Sequence, residues 1–70
     1  MKKILIFGSG GHAKVIYSEI IKDKNLEFLG FVDEAKKKGE IIISEKNTYY
    51  NLGKISEVIK KKNDFTGIIG

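Results

Sequence analysis

Lys3-Ile4-Leu5-Ile6-Phe7-Gly8-Ser9-Gly10-Gly11-His12-Ala13-Lys14-Val15-Ile16 decides the fold of this chain. Ile4 to Phe7 run apolar without alternation, as a strand covered on both faces does. The run feeds a tight glycine loop, and the loop opens into a helix-period pattern. Ala13, Ile16, Tyr17 and Ile20 recur at i, i+3, i+4 and i+7, which gives that helix one apolar face. Lys14, Ser18, Glu19 and Lys22 lie off the stripe. Lys22 and Lys24 suit the negative end of the helix, and Asn25 is placed to stop it in a left-handed conformation.

The alternation continues downstream. Residues 26–32, Leu-Glu-Phe-Leu-Gly-Phe-Val, read as a second strand ending at Asp33, and residues 33–40 as a polar, lysine-rich loop. Ile41-Ile42-Ile43 is ambiguous; it can form a short strand, with Glu45-Lys46-Asn47 as a turn before Thr48-Tyr49-Tyr50. A second helix is expected from about Lys54 to Lys62, burying Ile55, Val58 and Ile59. Asn51 or Gly53 can cap it, and Asn63-Asp64 ends it. Phe65 to Ile69 reads as a third strand, closed by Gly70. The β-α-β-α-β pattern predicts an α/β, Rossmann-like fold. Its three-stranded parallel sheet is expected in the order 2-1-3, with right-handed crossovers and a helix on each face. A sheet that stopped at the third strand would leave a bare apolar edge. Residues 1–70 are therefore expected to be one domain, or a fragment, of a longer polypeptide.

Composition narrows the function classes. The chain of 70 residues has no cysteine and one histidine, which excludes disulfides and cysteine-based metal sites and leaves no zinc set. The net charge of +4 comes with lysine as the sole cation, and its clusters are Lys36–Lys38 and Lys60–Lys62. Neither is interleaved with aromatics and no arginine is present to read guanine edges, so both read as solvated and no nucleic-acid partner is expected. No segment has the length of a membrane span or the pattern of a signal peptide. A cytoplasmic protein without a membrane partner is the expectation.

The loop carries the chemistry. Gly8-Ser9-Gly10-Gly11-His12-Ala13 satisfies G-x-G-x-x-G/A between a strand and a helix. Gly8 permits the tight turn, Gly10 lets backbone approach an anion, and Ala13 is small enough for close helix–sheet packing. Ser9 adds a hydroxyl, and the N–H groups of Gly10, Gly11 and His12 are free donors at a helix start. No Gly-Lys-Ser/Thr ending follows, so this is not a P-loop. Asp33, at the end of the second strand, is where doubly wound folds place a carboxylate for ribose hydroxyls. His12 faces the same crevice, where an imidazole N–H can donate to a phosphate or sugar oxygen. Plainer readings exist for each: a ligand-free glycine connection, a polar strand exit, and a tolerated helix-start histidine. An NAD-binding module of a dehydrogenase, or a regulatory nucleotide sensor, uses the same loop and carboxylate.

Ile6-Phe7-Gly8-Ser9-Gly10-Gly11-His12-Ala13-Lys14-Val15-Ile16 resembles the N-terminal motif of the PglD/NeuD-type sugar acyltransferases. Leu29-Gly30-Phe31-Val32-Asp33 is similar to that family's Gly-Phe-hydrophobic-Asp, and Gly67-Ile68-Ile69-Gly70 to the start of its third-strand motif. The likeness spans nearly the whole chain and is loosest over residues 34–60. It implies a nucleotide-sugar-binding domain that takes a UDP-sugar. In the family such a domain precedes a left-handed β-helix of hexapeptide repeats. The β-helix binds acetyl-CoA, carries the catalytic base and forms homotrimers. The implied reaction is N- or O-acetylation of a sugar in sialic-acid or bacterial glycan biosynthesis. By position, Ser9, Gly10, Gly11 and His12 would line the diphosphate and sugar end, with Gly8 counted among the substrate-binding residues as the turn before them. Asp33 would serve the nucleoside end, and Gly70 would border the crevice. The hexapeptide repeats and the acetyl-CoA site are not in this chain, so this domain is expected to bind without catalysing and to need no cofactor of its own. His12 after Gly11 favours this reading over NAD binding.

Overall fold

The computed structural model describes residues 2–61 and 64–70. Strand β1 (Lys2–Phe7) is central, flanked by β2 (Leu26–Val32) and β5 (Thr66–Ile69). Both pairings are parallel, and the order is β2-β1-β5. This is the expected 2-1-3 sheet. Central position explains the continuous apolar run: Ile4, Leu5 and Ile6 are all buried, because alternate residues serve opposite faces.

Those two faces make two cores. Helix α1 (Gly11–Ile20) lays Ala13, Tyr17 and Ile20 over Ile4, Ile6, Phe28 and Phe31. Helix α2 (Ile55–Lys61) puts Val58 against Leu5 and Val32 on the opposite face. Each fully buried aliphatic or aromatic side chain contributes about 1.5–3 kcal/mol of transfer free energy.

Phe28 and Phe31 share a face despite an odd spacing, and a bulge is the reason. Ile4 pairs with Phe28 but Leu5 pairs with Gly30, so Leu29 is the extra residue. Gly30 takes φ +148°, and a Cβ there would lie 3.2 Å from the Tyr50 carbonyl oxygen. The bulge resets the pleat and turns Phe31 inward.

The ambiguous segment forms an antiparallel hairpin, β3 (Ile41–Ser44) with β4 (Thr48–Tyr50), as a separate two-stranded sheet. It docks through Tyr49, whose ring lies 4.8 Å from that of Phe28 and 5.4 Å from that of Tyr17. The chain then runs beside β2: the Leu52 N–H donates to the Phe31 carbonyl at 2.8 Å, and Asn51 bridges to Phe31 in parallel. Part of the outer edge of β2 is thereby paired.

Local expectations are corrected at both helices. Helix α1 is not stopped by a left-handed Asn25, since among the described residues positive φ is confined to glycines. Ile21 stays right-handed, the N–H groups of Lys22 and Asp23 donate to the Glu19 and Ile20 carbonyls, and the Asp23 carboxylate takes the Asn25 N–H at 2.9 Å. Lys22 and Lys24 lie beyond the last turn. Among the described side chains of α2 only Val58 is buried, at 4% exposure; Ile55 and Ile59 are 39% and 50% exposed. A helix this short, meeting the sheet near one turn, covers it with one residue. Its cap is neither expected residue: the Lys54 carbonyl takes the N–H groups of Glu57 and Val58. The expected helix end at Asn63 falls outside the described residues. Among those residues no helix is long and apolar enough to cross a membrane.

Candidate functional site

The glycine loop joins β1 to α1 at the carboxyl end of the sheet. Gly8 takes φ +108°, and its N–H donates to the Val32 carbonyl at 2.8 Å. A Cβ on Gly8 would sit 2.9 Å from the Gly70 carbonyl oxygen, so this glycine is required both by conformation and by approach. Gly70 closes the other side. Its N–H donates to Phe7 at 2.8 Å, and a Cβ there would strike the Ala13 Cβ at 2.7 Å. Ala13, fully buried, is therefore the small residue that lets the helix start press against β5.

Gly10 and Gly11 differ. A Cβ on either would meet nothing within 4 Å. Gly10, the N-cap of α1, has extended backbone (φ −80°, ψ −166°) open to any residue. No side chain caps the helix and no acidic residue stands in its first turn. The first turn thus presents backbone N–H groups and the positive end of a helix dipole. His12 is exposed on that turn.

Ser9 and Asp33 lock the loop to β2. The Ser9 hydroxyl donates to Asp33 Oδ2 at 2.6 Å, and Ser9 is 2% exposed. Asp33 Oδ1 accepts the Ala35 N–H at 2.9 Å. The Ser9 hydroxyl first and then the Ala35 N–H hold the Asp33 carboxyl below its ordinary pKa, against an opposing effect of burial that outweighs the smaller help from the charge of Lys36. Asp33 is an acceptor-only group with lone pairs to spare. The crevice therefore has two chemically distinct ends: donors at the start of α1, an anion at the end of β2.

Residues 3–70 match the model of the PglD N-terminal domain. The chain belongs to the PglD N-terminal domain family. That match covers nearly the whole chain and places it in the context of the sugar acyltransferases. No curated protein and no solved structure matches it significantly.

The structure brings together Gly8, Ser9, Gly10, Gly11, His12, Asp33 and Gly70, the residues the sequence singles out. Larger concavities among the described residues lie away from the loop. One, of about 240 Å³, is apolar and lined by Tyr50, Leu52 and Val58; another, of about 570 Å³, lies between Tyr17 and the β3–β4 turn. Neither includes the glycine loop. One residue at the site escaped sequence reading. Asn51 holds the backbone of Asp33; within the sequence it reads only as a turn or cap residue.

Proposed function

We propose that this PglD-type domain binds a nucleotide sugar, specifically a UDP-sugar, and presents it for acetylation by a downstream hexapeptide-repeat domain. The observation that carries the reading is the 2.6 Å bond from Ser9 to Asp33, which fixes the glycine loop beside the end of β2. Diphosphate oxygens would take the N–H groups of residues 10–12. An ionised Asp33 repels phosphate and accepts hydroxyl or base N–H donors, so the nucleoside belongs at its end. The sugar then extends past His12. In the intact protein the acyl donor would be acetyl-CoA, and trimers would form through the downstream domain. A cytoplasmic location goes with that chemistry.

The test is a titration of the isotope-labelled domain with UDP-N-acetylglucosamine, followed by amide NMR. The largest shifts are expected at residues 9–12 and 33–35. Shifts confined to the cleft lined by Tyr50 and Val58 would overturn the placement. NAD shifting the loop amides where the UDP-sugar does not would favour a dinucleotide-binding module instead.

A further inference from the structure

The residues after β2 form no regular element, yet Asp33 must be held steady if its carboxylate is to recognise anything. The hydrogen bonds that hold it converge on a residue from another part of the chain. Asn51 is 1% exposed, and its side-chain oxygen accepts the N–H of Asp33 at 2.9 Å and of Gly53 at 3.3 Å. Its amide nitrogen donates to the carbonyls of Asp33, Lys36 and Lys37 at 2.8, 3.0 and 3.1 Å. Its own N–H donates to the Glu40 carbonyl, and its carbonyl accepts the Gly39 N–H, both at 2.8 Å. An asparagine offers one acceptor and one two-proton donor. Here both are fully committed, and most of their partners belong to the 33–40 loop.

We infer that Asn51 is the positioning residue of Asp33: it clamps the loop so that the Asp33 carboxylate stays aimed at Ser9 and at the crevice. Its link to ligand binding rests on the nucleotide-sugar reading above. Asn51 grips Asp33 from both sides, at its N–H and at its carbonyl. That fixes the backbone from which the carboxylate projects. It touches neither carboxylate oxygen, because Ser9 and Ala35 take those. No substitution preserves the arrangement. Aspartate keeps the acceptor but turns an oxygen toward three carbonyls; alanine loses every side-chain bond and leaves the Lys36 carbonyl without its amide donor, whereas the Asp33 and Lys37 carbonyls keep the N–H groups of Lys36 and Glu40.

Asn51→Ala tests this with two readouts. The first is the NMR titration of the Asp33 carboxyl, which needs no ligand. With the clamp gone, the bonds from Ser9 and Ala35 loosen, and Asp33 is expected to titrate higher than in the unmodified chain. The second is calorimetric affinity for UDP-N-acetylglucosamine, expected to fall at least about tenfold, the scale of one charge-assisted hydrogen bond. An asparagine that served stability alone would lower the melting temperature and leave the Asp33 titration of the folded variant unchanged. That outcome, with unchanged affinity, overturns the inference. If Asn51→Ala does not fold, hydrogen exchange on the unmodified chain decides. Slow exchange of the Asp33 and Gly39 amides supports the clamp, and exchange as fast as that of an unstructured loop overturns it. If the unmodified chain does not bind the UDP-sugar, the nucleotide-sugar reading fails, while the Asp33 titration still judges the clamp.

Discussion

Two glycines two residues apart in one loop do different work, and substitution separates them. Gly8 sits at φ +108° with the Gly70 carbonyl 2.9 Å from where a Cβ would be. Gly8→Ala is expected to destabilise the domain by roughly 1–3 kcal/mol, read by urea melts, with binding lost only as the fold is lost. Gly10 has ordinary backbone and open space. Gly10→Ser adds a helix cap, so stability is expected to hold or rise by a few tenths of a kcal/mol. Binding of UDP-N-acetylglucosamine should nonetheless weaken, because the new side chain occupies the approach of the diphosphate. A Gly10→Ser variant that binds normally would refute the role of that glycine. Asp33 carries the other end. Asp33→Ala is expected to weaken nucleotide binding by about 1.5–3 kcal/mol by calorimetry, as loss of a charged hydrogen bond does. The same residue links stability to pH. Its folded pKa lies below the unfolded one. Its stabilising contribution is therefore complete above the unfolded aspartate value of about 3.9 and disappears as pH falls through the folded value. Acid melts of Asp33→Asn should lack that component below about pH 4.

At the scale of elements, the legible parts of the sequence were those in which one residue type serves one periodic role. The unbroken run from Ile4 to Phe7 could only be a covered strand, and the stripe Ala13-Ile16-Tyr17-Ile20 only a helix face packed on it. From these the parallel sheet and its order followed. The bulge at Leu29-Gly30 and the docking of Tyr49 depend on partners distant in sequence, which no local pattern announces. Asn51 is the sharpest case: a buried amide holding a loop is spelled the same way as an exposed turn residue. The glycines, Ser9 and Asp33 were legible because their spacing is tied to the strand–loop–helix order. Helix α2 misled for a different reason. Ile55, Val58 and Ile59 share a helical stripe, but the contact with the sheet admits one of them. Val58→Ala is accordingly expected to cost about 2 kcal/mol through lost burial and a cavity. Ile59→Ala, from a half-exposed site, should cost several-fold less. Equal losses in denaturant melts of the two variants would mean that α2 seats on the sheet through both residues.

For the whole molecule, small size makes ligand binding easy to see. A domain of 70 residues buries a modest share of its surface and has little stability in reserve. A ligand that binds only the folded state at a hundred times its dissociation constant adds about 2.7 kcal/mol. In a domain of this size each kcal/mol moves the melting temperature by about 4–8 °C. Saturating UDP-N-acetylglucosamine is therefore expected to raise the melting temperature by roughly 10 °C or more. The chain's charge of +4 attracts any anion weakly and without selectivity, so specificity has to come from the geometry of the crevice. UDP shares the diphosphate and nucleoside and should retain most of the shift. Inorganic phosphate engages only the helix start and should give little. NAD also carries a diphosphate, but its nicotinamide half would have to pass His12 where the sugar is expected, so it should give none. The ranking tests the two ends separately. A phosphate shift as large as that of UDP would reduce the site to a bare helix terminus. Removal of the UDP shift by Asp33→Ala, with the phosphate response retained, would assign the donor end to the loop and the nucleoside end to β2.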